Sequence, residues 1–316
     1  MMMNEKREIW ADFVKGIAIY LVILGHAIQN IYYGGADFEN NPIFCFIYGF
    51  HMPLFACVSG YFLENFLKKY SLKQGILRKA KTILLPCIVW AFGYYIIYVL
   101  KFRQFKSFID FRDDILGANW FLWAIFYCSV ISLIIVQFDK SLWKISIILI
   151  VVNFLIPDYY NTTGYKVLFP FIILGVMIKR YDLLHKFLQM KNRIQWIIIA
   201  SLGILYLSLY PWTDHKYSWE IFIHFDMDRL VMNLARYWIY FAGTAWSLLL
   251  IVKTASCLEE RINYNKNLIL ILGCVFRLNG TACTLQREGC PLQTGSFLSY
   301  TGLRMFLPFS SRRNAL

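Results

Sequence analysis

The stretch KGIAIYLVILGH, residues 15–26, places ten residues, nearly all apolar, between a lysine and a histidine. It lies within an apolar run from about 10 to 33, and a membrane-crossing helix needs ~20 such residues. Eleven helical steps of ~100° bring Lys15 and His26 to within ~20° of one face, ~16 Å apart along the axis. Ionisable groups inside a span are costly and normally face a cavity or a partner. One reading is a polar channel with Lys15 at its mouth and His26 at its working end. The other pairs Lys15 with Asp12, three residues earlier, at the membrane surface, and satisfies His26 on a neighbouring helix. For His26 the near-neutral titration of imidazole favours a general base.

The rest of the chain extends the membrane reading. Its 316 residues have a mean hydropathy of +0.50, 59% are hydrophobic and only 16% are charged. A soluble domain has about a quarter charged residues. Apolar runs fall at about 10–33, 42–66, 82–100, 120–138, 142–157, 165–178, 194–211 and 231–252, with a shorter ninth starting at Leu268. The predicted fold is therefore all-α: a polytopic transmembrane helix bundle with eight clear spans, a broken ninth and a cytoplasmic N-terminus. The predicted location is a cell membrane, and the first span is read as uncleaved.

The net charge of +13 does not point to nucleic acid, because the positive residues sit between apolar runs rather than on one basic face. With the N-terminus inside, the inside segments carry 18 Lys and Arg and the outside segments 7, as the positive-inside rule requires. The eight cysteines form no CxxC pair, so neither a disulfide framework nor a metal site is predicted. No P-loop, zinc-protease or serine-hydrolase signature occurs.

Composition changes at Cys274. Before it stand 18 Lys and 9 Arg; from it onward there are five Arg and no Lys. Residues 1–273 are expected to form the membrane domain, and 274–316 an atypical tail that is out of frame or otherwise foreign to it.

A second apolar run contains FHMPLFACVSGYF, residues 50–62. Its His51 lies nine residues in from Pro42. A short loop makes the first two spans an antiparallel hairpin, so His26 and His51 are predicted at similar depth, ~10–14 Å from the outer edge. Pro53 is predicted to kink the second span. A lone histidine bonded to a serine or a carbonyl is the competing reading for His51. Next comes LKKYSLKQGILRKAKTILLP, residues 67–86, with six positive charges and no acid. Either it is only a topological signal, or RKAK (78–81) holds a phosphate-rich cofactor. Asn119, Trp120 and Trp123 read as interface anchors. The polar and aromatic loop at 211–230 suits either a sugar acceptor or plain solvation.

Lys15-x10-His26, the FHMPLFACVSGYF stretch, the basic segment running into LLPCIVW (84–90), and NWFLW (119–123) together resemble the acyltransferase-3 family of integral membrane acyltransferases, over roughly residues 7–273. The resemblance implies an O-acyltransferase, with acetyl-CoA as its donor, acting on a hydroxyl of a cell-surface or lipid-linked glycan. His26, with His51 beside it, would be catalytic. Lys15 and the pair Arg78 and Lys81, which match the family's R-x-x-R pattern except for one lysine, would bind the donor's phosphates. Acetyl-CoA, the sugar acceptor and membrane lipids are the implied partners; no metal and no nucleic acid are implied. Family members usually have about ten spans, and this chain departs from that. A transporter or flippase of glycan precursors and an inactive remnant are the alternative readings.

Overall fold

The computed structural model describes residues 8–33, 38–105, 107, 110–112, 120–136, 142–155, 163–210 and 227–262, and among them every regular element is helical. In chain order these are α1 (Ile9–Ala27), α2 (Pro42–Tyr48), α3 (His51–Lys69), α4 (Leu72–Lys79), α5 (Leu85–Phe102), α6 (Trp120–Val136), α7 (Leu142–Leu155), α8 (Thr163–Arg180), α9 (Leu183–Gln189), α10 (Asn192–Leu209) and α11 (Met227–Ile262). Two five-residue π-helical turns interrupt the pattern, at Ile28–Tyr32 and Ala80–Leu84. Five helical stretches are long and apolar enough to cross a membrane: Trp10–Tyr32, Pro42–Phe66, Leu72–Phe102, Asn192–Leu209 and Leu234–Leu258. Trp120–Val136 is apolar but shorter. The tail from Cys274 and most of the loop at 211–230 lie outside the described residues.

The Pro42–Phe66 stretch is the centre of the bundle. Of its most apolar window 67% is buried, against 6% for Leu72–Phe102, whose Val89, Trp90, Ile97 and Leu100 point outward. Against α3 runs α8, in the most extensive helix contact among the described residues. A Cβ on Gly60 would land on the carbonyl of Ile172, and one on Gly175 on the carbonyl of Cys57. Small residues at such a crossing let two backbones touch, which is how helices associate where no water drives them together. Around it pack Leu54, Leu63, Leu168 and Ile173, all fully buried.

Ion pairs close one end of this crossing. Lys179 at the end of α8 donates to Glu8 at 2.8 Å and to the Tyr61 hydroxyl at 3.1 Å. Its neighbour Arg180 holds Glu64 of α3 at 3.0 Å and reaches the Val136 carbonyl of α6 at 3.4 Å. Four segments distant in sequence are thus tied at the end of the bundle that also carries Lys15.

Candidate active site

The run expected as one kinked span is two helices. Asn41 caps α2, its side chain accepting from the amides of Ile43 at 2.9 Å and Phe44 at 3.0 Å, with Pro42 preset for the first turn. The helix stops at Tyr48, and α3 starts at His51 after Gly49 and Phe50. The disruption expected from Pro53 is thus a break between two helices rather than a kink within one, and Pro53 itself sits in the first turn of α3. The break falls four residues earlier because proline cannot donate to the Gly49 carbonyl.

Broken backbone inside a membrane bundle survives only if its polar groups find partners. The Phe46 carbonyl is taken by the Tyr206 hydroxyl of α10. The Ile47 carbonyl accepts from the Phe50 amide at 3.3 Å and from Nδ1 of His51 at 2.9 Å. A carbonyl only accepts, so Nδ1 of His51 carries the hydrogen. In the neutral ring Nε2 then presents its lone pair. His51 is 1% exposed, and the edge of Tyr48 packs on it with ring centroids 4.4 Å apart.

His26 comes to the same place from α1. Lys15 and His26 lie on one uninterrupted helix, as their spacing requires. His26 is in its last turn and half-buried, its ring hydrogen-bonded to the side chain of Gln29. Its carbonyl accepts from the Asn30 amide group at 3.1 Å. Both partners stand in the π-helical turn that follows, and such turns recur at functional sites. Gly25 lets the two helices meet, since a side chain there would strike the Tyr48 ring. His26 and His51 are within electrostatic reach of each other. The site thus pairs a half-buried imidazole with a buried one whose tautomer is set by the backbone. Such a pair can take a proton from a hydroxyl and return it to a leaving group.

At the opposite end of α1, Lys15 is exposed and among the described residues forms no ion pair. Its ammonium lies 4.7 Å from the centroid of Phe62. Arg78 is exposed and rests on Tyr70 at 4.4 Å; Lys81 is exposed on the π-helical turn. Between them, Lys79 turns inward, is half-buried and reaches the Phe66 ring at 5.4 Å, within electrostatic reach of Lys15. Sequence reasoning took Lys79 only as part of RKAK and singled out Arg78 and Lys81 instead. The signal for it was Phe62 and Phe66, spaced four apart on the facing helix, with Tyr70 just past its end. Tyr48 and Gln29 were missed too, each three residues in sequence from a histidine already singled out.

The ring of Trp120 covers Gly164 of α8 and stands 5.9 Å from Phe121. Trp123 stacks on Tyr127 at 6.0 Å. Asn119 and His215, Glu220, His224 and Asp226 of the 211–230 loop lie outside the described residues.

A family described as an acyltransferase domain matches residues 8–273. Among curated proteins the chain is similar to one named nodulation protein NolL from Mesorhizobium japonicum. The two are 28% identical over 303 residues, which cover 87% of this chain and 78% of that one. It is also similar to a nodulation protein NolL from Sinorhizobium fredii, 31% identical over 182 residues, or 55% of this chain and 49% of that one. No solved structure matches the chain.

Proposed function

From the premise that the chain belongs to the acyltransferase-3 family, we propose that it is a multi-pass O-acetyltransferase that moves an acetyl group from cytoplasmic acetyl-CoA to a hydroxyl of a cell-surface or lipid-linked glycan. Its N-terminus is cytoplasmic in this reading, and eight spans carry the chain through the cell membrane. The donor's phosphates stay at the basic end, near Lys15, and the thioester reaches His26, ~16 Å along α1. The acceptor arrives from the other side of the membrane.

His26 takes the proton of the acceptor hydroxyl as its oxygen attacks the thioester carbonyl. The tetrahedral intermediate collapses to the ester and expels the CoA thiolate, and the imidazolium returns the proton to that sulfur. His51, its Nδ1 committed to the Ile47 carbonyl, steadies the positive charge developing on His26 through its Nε2 lone pair.

The observation that carries this reading is that His26 lies within electrostatic reach of His51, whose Nδ1 is bound to the Ile47 carbonyl at a break between two helices. The experiment is transfer of radiolabelled acetyl from acetyl-CoA to a glycan acceptor by the purified protein in vesicles. Label should appear in glycan with the wild type and not with His26→Ala, while both variants insert equally. Movement of lipid-linked glycan across the vesicle without labelling would make the protein a carrier instead. No transfer and no movement, even at high protein level, would make it an inactive remnant.

A further inference from the structure

Phe62 and Phe66 lie four residues apart on one face of α3, and Tyr70, the residue just past its end, continues the row by packing on Phe66. Each ring carries a cation brought by another helix: Lys15 from α1 on Phe62 at 4.7 Å, Lys79 from α4 on Phe66 at 5.4 Å, and Arg78 from α4 on Tyr70 at 4.4 Å. Phe66 and Tyr70 stand 5.0 Å apart, so the row is continuous there. Lys69 adds a fourth charge at 5.9 Å from Tyr70.

Like charges gathered this closely repel, and Lys15 and Lys79 are near enough to feel each other. The obvious neutralising groups are used elsewhere. Glu8 is held by Lys179 and Glu64 by Arg180, both from α8. Among the described residues no carboxylate lies within ion-pair distance of Lys15, Lys79 or Arg78. Ring faces hold cations by their quadrupole but bring no negative charge to cancel them. A row of this kind lacks an anion, and a ligand with several phosphates along one edge matches it.

We infer that the row formed by Lys15, Lys79 and Arg78 on the Phe62–Phe66–Tyr70 stripe is a polyphosphate site, and that Lys79 is its central ligand. This rests on the acyl-CoA reading for the identity of the ligand: coenzyme A carries a diphosphate and a separate 3′-phosphate. Lys79 displaces Lys81 from the part that the R-x-x-R resemblance implied. Two residues apart on a helix, the two side chains do not face the same way, and only Lys79 turns toward α3.

The test is binding of coenzyme A, 3′-dephospho-coenzyme A and inorganic pyrophosphate to the full chain in phosphatidylcholine nanodiscs. Lys79→Gln should weaken coenzyme A binding at least tenfold and shrink its advantage over the dephospho form. Lys79→Arg should restore most of the affinity, which separates lost charge from lost folding. Lys81→Gln should lose less than Lys79→Gln, and Lys73→Gln, exposed on the same helix, should bind within twofold of wild type. The proposal is overturned if Lys79→Gln binds normally or if Lys81→Gln is the more damaging change. If the wild type ignores coenzyme A but binds pyrophosphate in a Lys79-dependent way, the site stands and the acetyl-CoA reading falls. If that binding disappears when phosphatidylglycerol replaces phosphatidylcholine, the row belongs to lipid headgroups and the proposal is overturned.

Discussion

The hydroxyl of Tyr237 donates to the carbonyl of Lys166 at 2.5 Å, and Lys166 lies four residues before Pro170 inside α8. Pro170 has no N–H, so α8 by itself leaves that carbonyl without its helical donor. In lipid no water replaces it. Tyr206 does the same for the Phe46 carbonyl at the α2–α3 break. Two tyrosine hydroxyls, from α10 and α11, thus complete the backbone bonding of two other helices.

Removing either hydroxyl should cost about 1–3 kcal/mol, the penalty of a stranded buried carbonyl. Thermal unfolding of Tyr237→Phe in detergent micelles measures it. Adding Pro170→Ala should recover part of the loss, because the new backbone amide can serve Lys166. An unchanged melting temperature for Tyr237→Phe would remove this role.

The α3–α8 crossing makes a sharper demand. Gly60→Ala and Gly175→Ala each drive a methyl into facing backbone, which cannot swing aside as a side chain does. Overpacking of this kind costs ~1–3 kcal/mol or more. Both variants should fail to give a monodisperse size-exclusion peak. Gly93→Ala, which meets nothing within 4 Å, should behave as wild type.

Half-buried ion pairs at the end of α8 should respond asymmetrically. Glu64→Gln leaves Arg180 without its counter-charge and should cost up to about 3 kcal/mol. Glu64→Leu combined with Arg180→Met should cost less than Glu64→Gln alone. Chemical unfolding of the three proteins gives the order, and a double variant worse than the single one would contradict the argument.

For the histidines the expectation is a drop of ~10²–10⁴ in acetyl transfer for His26→Ala, the range of general-base catalysis, with insertion intact. His51→Ala should lower transfer and also loosen the α2–α3 break, since it leaves the Ile47 carbonyl with only the longer bond from the Phe50 amide. Proteolysis within residues 45–52 separates the two effects: His51→Ala is cut faster and His26→Ala is not.

Much of this was legible from residue order. The 3.6-residue period put Lys15 and His26 on one helix, and hairpin length pointed to His26 and His51 at similar depth, where they are within electrostatic reach. The end of α2 was not legible, because an apolar run from 42 to 66 hides a break that involves two residues. Gly49 and Pro53 contained the signal, but proline in a span reads as a kink unless the glycine one turn earlier is weighed with it. Lys79 stayed hidden for another reason. RKAK is a cluster of four in sequence, and only the ring stripe across from it decides which of its cations turns inward.

The run Leu72–Phe102 is 31 residues long. At ~1.5 Å per residue it measures ~46 Å against a ~30 Å hydrocarbon layer, and even a ~40° tilt, the top of the usual range, leaves ~5 Å over. Setting α4 (Leu72–Lys79) in the headgroup zone leaves 23 residues, ~34 Å, which fit at ~30°. Lys79 then sits at the oil–water boundary, and its distance from Lys15 depends on the slant of the helix below it. Bilayer thickness becomes a mechanical input: thick bilayers that stand the helix upright and thin ones that lay it over should set different affinities for the same anion, in the same polypeptide.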